Sequence, residues 1–513
     1  MSERVVVIGA GLGGLSAALE LRRRGFDPLV LERHSEVGGK ASVRRADGFR
    51  WDEGPSILVM PWVYRELFEA SGLDPDVYLP MKRLDPAFKV VLSDGRPLEI
   101  AASEEGLVDA LARLDPADGA ALPAFMRKMD RFAAWIGRSY CDRILENWAQ
   151  VIASPLFLSA AGMPPTKSYA AEIDSFFRSP AVRELFYGFP TYSGFDPIKA
   201  PASLAIIPWT IIREGVWYPA SGGIGAIPRA IAKACVDVGI EIRTGVDVAS
   251  IERDSEGRVV AVIADDRRIE TRWVVSNSDY VNTHRMLEGG PPLSSGVEAI
   301  RAGRAEPSSS FLTIQIGCDR DWDSWAHHLL VLTPGSSKVY DELFLEGRYP
   351  SDPPIYVNVT SKTDPDDAPP GRSNPFIVIG APPLPVDEIE DRGFVEAHAG
   401  RLIDRLETAG LSGLRASIVH QTTSGPATFR DRFKAFRGSI YGLGNSHNIL
   451  GGSFRPLNHL DEVPGLYMVG GGVQPGAGMP MVVQSGKITA ERMRRDLGRV
   501  GRRRVIGTAG THA

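Results

Sequence analysis

Gly9, Gly11, Gly13 and Gly14 stand in the run Gly9-Ala10-Gly11-Leu12-Gly13-Gly14, directly behind the apolar stretch Val5-Val6-Val7-Ile8. Glycines at this spacing suit phosphate binding. Gly9 permits a sharp turn, Gly11 lets the backbone approach a pyrophosphate with no Cβ in the way, and Gly14 allows a following helix to pack close to a sheet. The free N–H groups and dipole at that helix N-terminus then attract the phosphates. Glu32 follows at the distance where a carboxylate can hydrogen-bond a ribose hydroxyl. An acidic side chain there favours an unphosphorylated ribose, as in FAD or NAD.

These residues need elements to hold them. Val5 to Ile8 reads as a central parallel strand covered on both faces. Leu15, Ala18, Leu19 and Leu21 recur at helical spacing until Arg22-Arg23-Arg24-Gly25 ends the helix, and Pro28 to Leu31 is a second strand that delivers Glu32. Two more tight segments follow, Gly38-Gly39-Lys40 and Asp52-Glu53-Gly54-Pro55-Ser56. Near the other end, Gly465 to Val469 is strand-like and runs through Gly470 to Gly478 into a helix with Pro480 near its start, where the missing N–H costs nothing.

Composition excludes several classes. The 513 residues carry 58 Lys+Arg against 63 Asp+Glu, a net charge of -5, which removes any general electrostatic case for nucleic acid. Cys141, Cys235 and Cys318 are far apart and odd in number, against a disulfide framework or a four-ligand zinc site, and three reduced thiols fit the cytoplasm. The first apolar run is too short for a signal peptide. No stretch reaches the roughly 18 to 20 apolar residues that span a bilayer. The best, Val151 to Gly162 and Ser203 to Ile212, are broken by proline and suit core helices or surfaces that dip into the interface. Arg492, Arg494, Arg495, Arg499, Arg502, Arg503 and Arg504 face only Glu491 and Asp496 locally, which suits a solvated helix end or attraction to anionic lipid.

The glycine segments together resemble the bacterial-type carotenoid (phytoene) desaturase family of FAD-dependent, amine-oxidase-like flavoproteins. The strongest matches are the N-terminal fingerprint with Gly38-Gly39-Lys40, the Asp52 to Ser56 turn, and Pro475-Gly476-Ala477-Gly478-Met479-Pro480. Weaker ones are Phe176 to Pro180, Gly194 to Pro201, Trp217-Tyr218-Pro219, Gly222 to Ala226, Ser439 to Gly442 and Ser453-Phe454-Arg455-Pro456. The resemblance implies an α/β fold: a Rossmann-like FAD-binding domain of the GR2 type, assembled from residues 1–84, 215–288 and 422–513. A sheet-plus-helices substrate domain, residues 85–214 and 289–421, is inserted in it. It also implies FAD on Gly9, Gly11, Gly13, Gly14, Glu32, Gly39, Lys40, Val248, Gly471, Met479 and Met481, with Lys40 near the diphosphate and the Val248 backbone against the adenine. The last helix N-terminus would stabilise the negative charge that hydride uptake places near flavin N1 and O2.

The implied reaction removes hydride from an acyclic carotenoid to flavin N5 and a proton from the neighbouring carbon. A hydrocarbon polyene calls for a long apolar tunnel, and Ile206, Ile207, Trp209, Ile211 and Ile212 are candidate walls that core packing explains equally well. For the base, Arg455, His459 and Glu53 are the polar candidates beside matched motifs, each with a competing structural role against loop backbone. His327-His328, the one adjacent histidine pair, would point to opposite faces of a strand, so no metal site is expected. Lys40 in place of arginine and Gln474 in place of histidine depart from phytoene desaturases proper toward late-pathway members such as hydroxycarotenoid desaturases. Carotenoid oxygenases and isomerases of the family stay open, as does an amine oxidase on the same FAD fold, and a lipophilic substrate implies peripheral attachment to the cytoplasmic membrane.

Overall fold

The computed structural model describes residues 3–136, 150, 166–191, 194–333, 336–385, 389–444 and 455–509. Cys141, the window Val151 to Gly162, Ser453, Phe454 and the side chains of Arg499, Arg502, Arg503 and Arg504 lie outside the described residues.

Arg4–Ile8 is the middle strand of a five-stranded parallel sheet whose order is Leu466–Met468, Val274–Ser276, Arg4–Ile8, Asp27–Glu32, Glu241–Thr244. Its unbroken apolar sequence follows from its position. Val5 and Val7 join a core with Leu15 and Leu19 of the helix Leu12–Arg23, while Val6 and Ile8 join a second core with Leu29, Val248 and Val262. Both faces are dry, so the period-2 alternation of a half-exposed strand is absent. The last helix, Met479–Ala509, packs on Leu12–Arg23, and Gly486 allows the approach: a Cβ there would stand 2.6 Å from the Ala17 nitrogen.

A seven-stranded sheet has the order Ile418–Ser424, Ser310–Cys318, Pro375–Ala381, Ile355–Val359, His328–Val331, Phe88–Val91, Pro97–Ile100. The expected break between residues 421 and 422 cuts the first of these strands, in which Thr422 and Thr423 pair with Gln315 and Ile314. That strand therefore runs straight across the expected boundary. Ile418–Ser424 is mostly polar and only half-buried, so no apolar alternation announces it.

One other expectation changes. The strand begins at His328, and His327 just before it turns its ring edge-on to that of His328, with centroids 4.5 Å apart, so the pair does not straddle a sheet. His327 Nδ1 meets Thr363 Oγ1 at 2.6 Å and His328 Nδ1 meets the Tyr356 hydroxyl at 2.7 Å. Burial takes the His328 ring down to about 3 and that of His327 well below the ordinary histidine value. Among the described residues no group of three or more side chains has metal-ligating geometry. The proline-rich segment Asp364 to Pro370 is tied into the interior. Asp367 turns inward and pairs with the buried guanidinium of Arg50, which also donates to Asp52 at 2.8 Å and to the Tyr218 hydroxyl at 3.0 Å.

Candidate functional site

The helix Leu12–Arg23 starts after Gly11 with no side-chain cap, which leaves its first amides for a ligand. Gly9 has φ +94°, and a Cβ on Gly14 would lie 2.0 Å from the Gly9 carbonyl oxygen, so turn and helix fit only as glycines. Gly11 and Gly13 make room for something the sequence reading missed. Cβ atoms there would fall 2.6 Å from Asn277 Oδ1 and 2.9 Å from Asn277 Nδ2. Asn277 sits directly after the strand Val274–Ser276, takes its backbone N–H to the Ile8 carbonyl, and donates from Nδ2 to the Val469 carbonyl at 3.2 Å. One residue thus joins the first loop, the middle strand end and the last glycine turn.

Glu32, nearly fully buried, accepts from the Ala10 amide at 2.7 Å with one oxygen and from the His34 amide at 2.9 Å with the other. Each oxygen keeps a second lone pair for a ribose hydroxyl. Gly38 and Gly39 take positive φ and return the chain to the first loop, with the Gly38 amide on the Ala10 carbonyl at 2.9 Å. Gly13 and Gly14 stand behind the cavity wall and act through packing, whereas Gly9, Gly11, Gly39, Val248, Gly471, Met479 and Met481 line it.

Lys40 also faces the cavity, but its ammonium donates to the Ile440 carbonyl at 2.8 Å and the Ser439 carbonyl at 3.3 Å. Burial lowers its proton affinity, Asp279 offsets part of that, and Arg455 adds to it. Asp279 caps the helix Tyr280–Arg285 through the Val281 and Asn282 amides, and burial raises its carboxyl. Arg455 lines the cavity and donates from Nη1 to the Gly471 carbonyl at 2.6 Å and to the Tyr441 carbonyl. Gln474, the departure noted above, donates to the Arg455 carbonyl at 3.3 Å.

The other two candidate bases fall outside the site. Glu53 is missing from the cavity wall and is held by Ser42 Oγ at 3.0 Å, Arg44 Nε at 3.0 Å and Arg432 Nη1 at 2.6 Å. Against the burial that raises it, Arg432, Arg44 and Ser42 keep its carboxyl below the ordinary value. His459 also lies off the wall, on an isolated bridge to Tyr467 with Nε2 3.3 Å from Asp461. Both stand close in sequence to matched motifs, and closeness in sequence does not carry a side chain round a turn.

The cradle and an apolar chamber are one cavity of about 1240 Å³. It continues from Glu32 and Val248 past Gly471 to Phe189, Phe195, Phe311 and Tyr340, and to Ile206, Ile207, Trp209 and Ile211 of the helix Ile206–Glu214; Ile212 is off the wall. FAD fits what is present: uncapped helix amides for the diphosphate, the Glu32 carboxylate for a ribose, Val248 beside it, and a second glycine turn with a helix start at Met479 farther along.

The chain matches the family described as flavin containing amine oxidoreductase over residues 12–494. It is 31% identical to a 4,4'-diapolycopene oxygenase of Methylomonas, with 97% of this chain and 99% of that protein aligned. It is 30% identical to a carotenoid 3,4-desaturase of Haloarcula japonica, with 96% and 99% aligned. Among solved structures, the cyclohexylamine oxidase of Brevibacterium oxydans superposes with a TM-score of 0.60 at 18% identity, covering 97% of this chain and 100% of that one, which speaks for the fold. A matched family model over nearly the whole length, relatives aligned end to end, and a cavity built for a dinucleotide agree: the chain belongs to the flavin containing amine oxidoreductase family, in its carotenoid desaturase-like branch, and is an FAD-dependent oxidoreductase.

Proposed function

We propose that the protein desaturates an acyclic carotenoid in carotenoid biosynthesis. The observation that carries this reading is the continuity of the dinucleotide cradle with a chamber walled by Phe189, Phe195, Phe311, Leu330 and the isoleucines of Ile206–Glu214. A polyene offers nothing to a cation or carboxylate, so shape and apolar burial must align it, and alignment supplies most of the rate. FAD, when bound, supplies the two-electron acceptor. The protein's own part is to hold the polyene against that acceptor, exclude water, and keep the turns at Gly471 and Tyr441 fixed through Arg455.

Anaerobic mixing of the FAD-loaded protein with phytoene, neurosporene or a hydroxylated carotenoid in liposomes tests this. Loss of the flavin absorbance together with a red-shifted polyene spectrum is expected. Bleaching by a primary amine instead overturns the reading. The 31% identity to an oxygenase supports a second reading, terminal oxidation of the polyene. Turnover under ¹⁸O₂ separates the two, because only the oxygenase product gains mass.

The same reading puts the enzyme on the cytoplasmic face of the membrane, where such a substrate dissolves. Ala134 is exposed and also lines the cavity, and its neighbour Trp135 is 56% exposed, which suits entry from a lipid surface. Among the described residues no helix is long and apolar enough to cross a membrane. Co-sedimentation with phosphatidylglycerol vesicles, weakened by Trp135→Ser, is the expected result. Failure to bind vesicles at low salt removes this part of the proposal.

A further inference from the structure

Tyr441 is half-buried, lies where the cradle meets the apolar chamber, and is part of the cavity wall. On one side it packs edge-on to Phe311, with ring centroids 6.0 Å apart. On another it fills the space left by Gly194: a Cβ there would stand 2.5 Å from Tyr441 Cδ2. The next residue, Gly442, presses on the last glycine turn, where its own Cβ would come 2.9 Å from the Gly472 Cα.

The backbone that carries this ring is pinned from several directions. The Tyr441 amide donates to Ser308 Oγ at 3.0 Å, and its carbonyl accepts from Arg455. The Ile440 amide donates to the Ser309 carbonyl at 3.1 Å, and the Ser308 amide to the Gly442 carbonyl at 2.8 Å. Lys40 holds the two preceding carbonyls. Two cations from different parts of the chain thus grip one short turn. A ring on so fixed a backbone is a stop rather than a flap.

Resting on the polyene reading above, we infer that Tyr441 is a specificity-determining residue. Its ring sets how far the polyene passes from the chamber toward the cofactor, and so which carbon–carbon bond is presented for oxidation. Burial pushes the phenol's pKa above the ordinary tyrosine value, so the hydroxyl stays neutral, and the ring is the part assigned to meet the substrate.

The test uses the FAD-loaded full chain with Tyr441→Ala, Tyr441→Leu and Tyr441→Phe, the flavin spectrum reporting an intact cradle in each. With a single polyene in phosphatidylcholine vesicles, absorption maxima and mass give the ratio of products. Truncation to Ala or Leu is expected to change that ratio by about tenfold, the scale of a methylene-sized misfit in an apolar pocket. Tyr441→Phe, which keeps the ring, retains the wild-type ratio whatever its rate. An unchanged ratio in the Ala and Leu variants overturns the inference, and so does an equal shift in Tyr441→Phe, which would assign the effect to the hydroxyl. Wild-type protein that gives no product from any polyene, and whose flavin fluorescence no polyene quenches, overturns the functional reading instead. If Tyr441→Ala loses its flavin, Tyr441→Leu decides.

Discussion

The carboxylate of Glu53 is surrounded by Ser42, Arg44 and Arg432, and that company decides what its removal does. Glu53→Gln leaves the cavity wall as it is and breaks two ion pairs to half-exposed arginines, at a cost of about 2 kcal/mol. Turnover of the loaded enzyme is expected to stay the same while the melting temperature falls. The pH dependence has a definite sign. The folded-state carboxyl lies below its ordinary 4.5, so the pair stabilises the protein above that pH and is lost as pH drops through the lowered value. The melting gap between wild type and Glu53→Gln should therefore close in acid. His328 pushes the same way from a higher starting pH. Its ring ionises near 6.5 when unfolded but only near 3 when folded, so protons favour the unfolded chain as pH falls below 6.5. Denaturant unfolding at pH 7 and pH 5 should show the loss, and His328→Gln should reduce it.

At the scale of elements, the cradle depends on helices and turns approaching closer than side chains allow. Gly14→Ala sets a methyl against the Gly9 carbonyl, and backbone on both sides cannot yield. The expected outcome is purified protein with a strongly reduced ratio of flavin to protein absorbance. Gly486→Ala separates the last helix from the first and should lower the melting temperature more than the flavin content, because Gly486 lies off the wall. The contact of Gly486 with Ala17 arises only on folding, whereas Gly14 was legible in the sequence because turn geometry and strand–turn–helix order are local. The parallel strands at Val5 and Leu466 were legible for the same reason, as unbroken apolar runs. Asn277 was not, since only folding brings it between Gly11 and Gly470. Nor were the partners of Lys40, whose charge goes to carbonyls four hundred residues along the chain. The strand Ile418–Ser424 escaped because its pairing with Ser310–Cys318 replaces the apolar signal it lacks.

Across the whole molecule, Arg50 is the point where the hairpin Val43–Ala46/Phe49–Asp52 meets a loop between strands of the seven-stranded sheet. Asp52 and Asp367 both reach its buried guanidinium, and Tyr218 donates to Asp52 at 2.8 Å. Asp367→Ala leaves that cation short of one carboxylate in a dry environment, a loss of about 3 to 5 kcal/mol. Scanning calorimetry should then show the two sheets separating into distinct transitions, whereas the wild type melts as one.

The strand order of the parallel sheet has a consequence for synthesis. Arg4–Ile8 and Asp27–Glu32 leave the ribosome early, yet the edge strand Leu466–Met468 and the helix that covers Leu12–Arg23 come after everything from Tyr280 to Gly465. The apolar face of Leu12–Arg23 therefore waits uncovered through most of translation, and the open side of Val274–Ser276 from its own synthesis until Leu466 appears, both exposed to wrong partners. Flavin capture needs the turn at Gly470 to Gly478, so it belongs to the finished chain. Overexpression without matching chaperone capacity should fill inclusion bodies with flavin-free protein, while a ribosome-stalled chain ending before Leu466 should bind none.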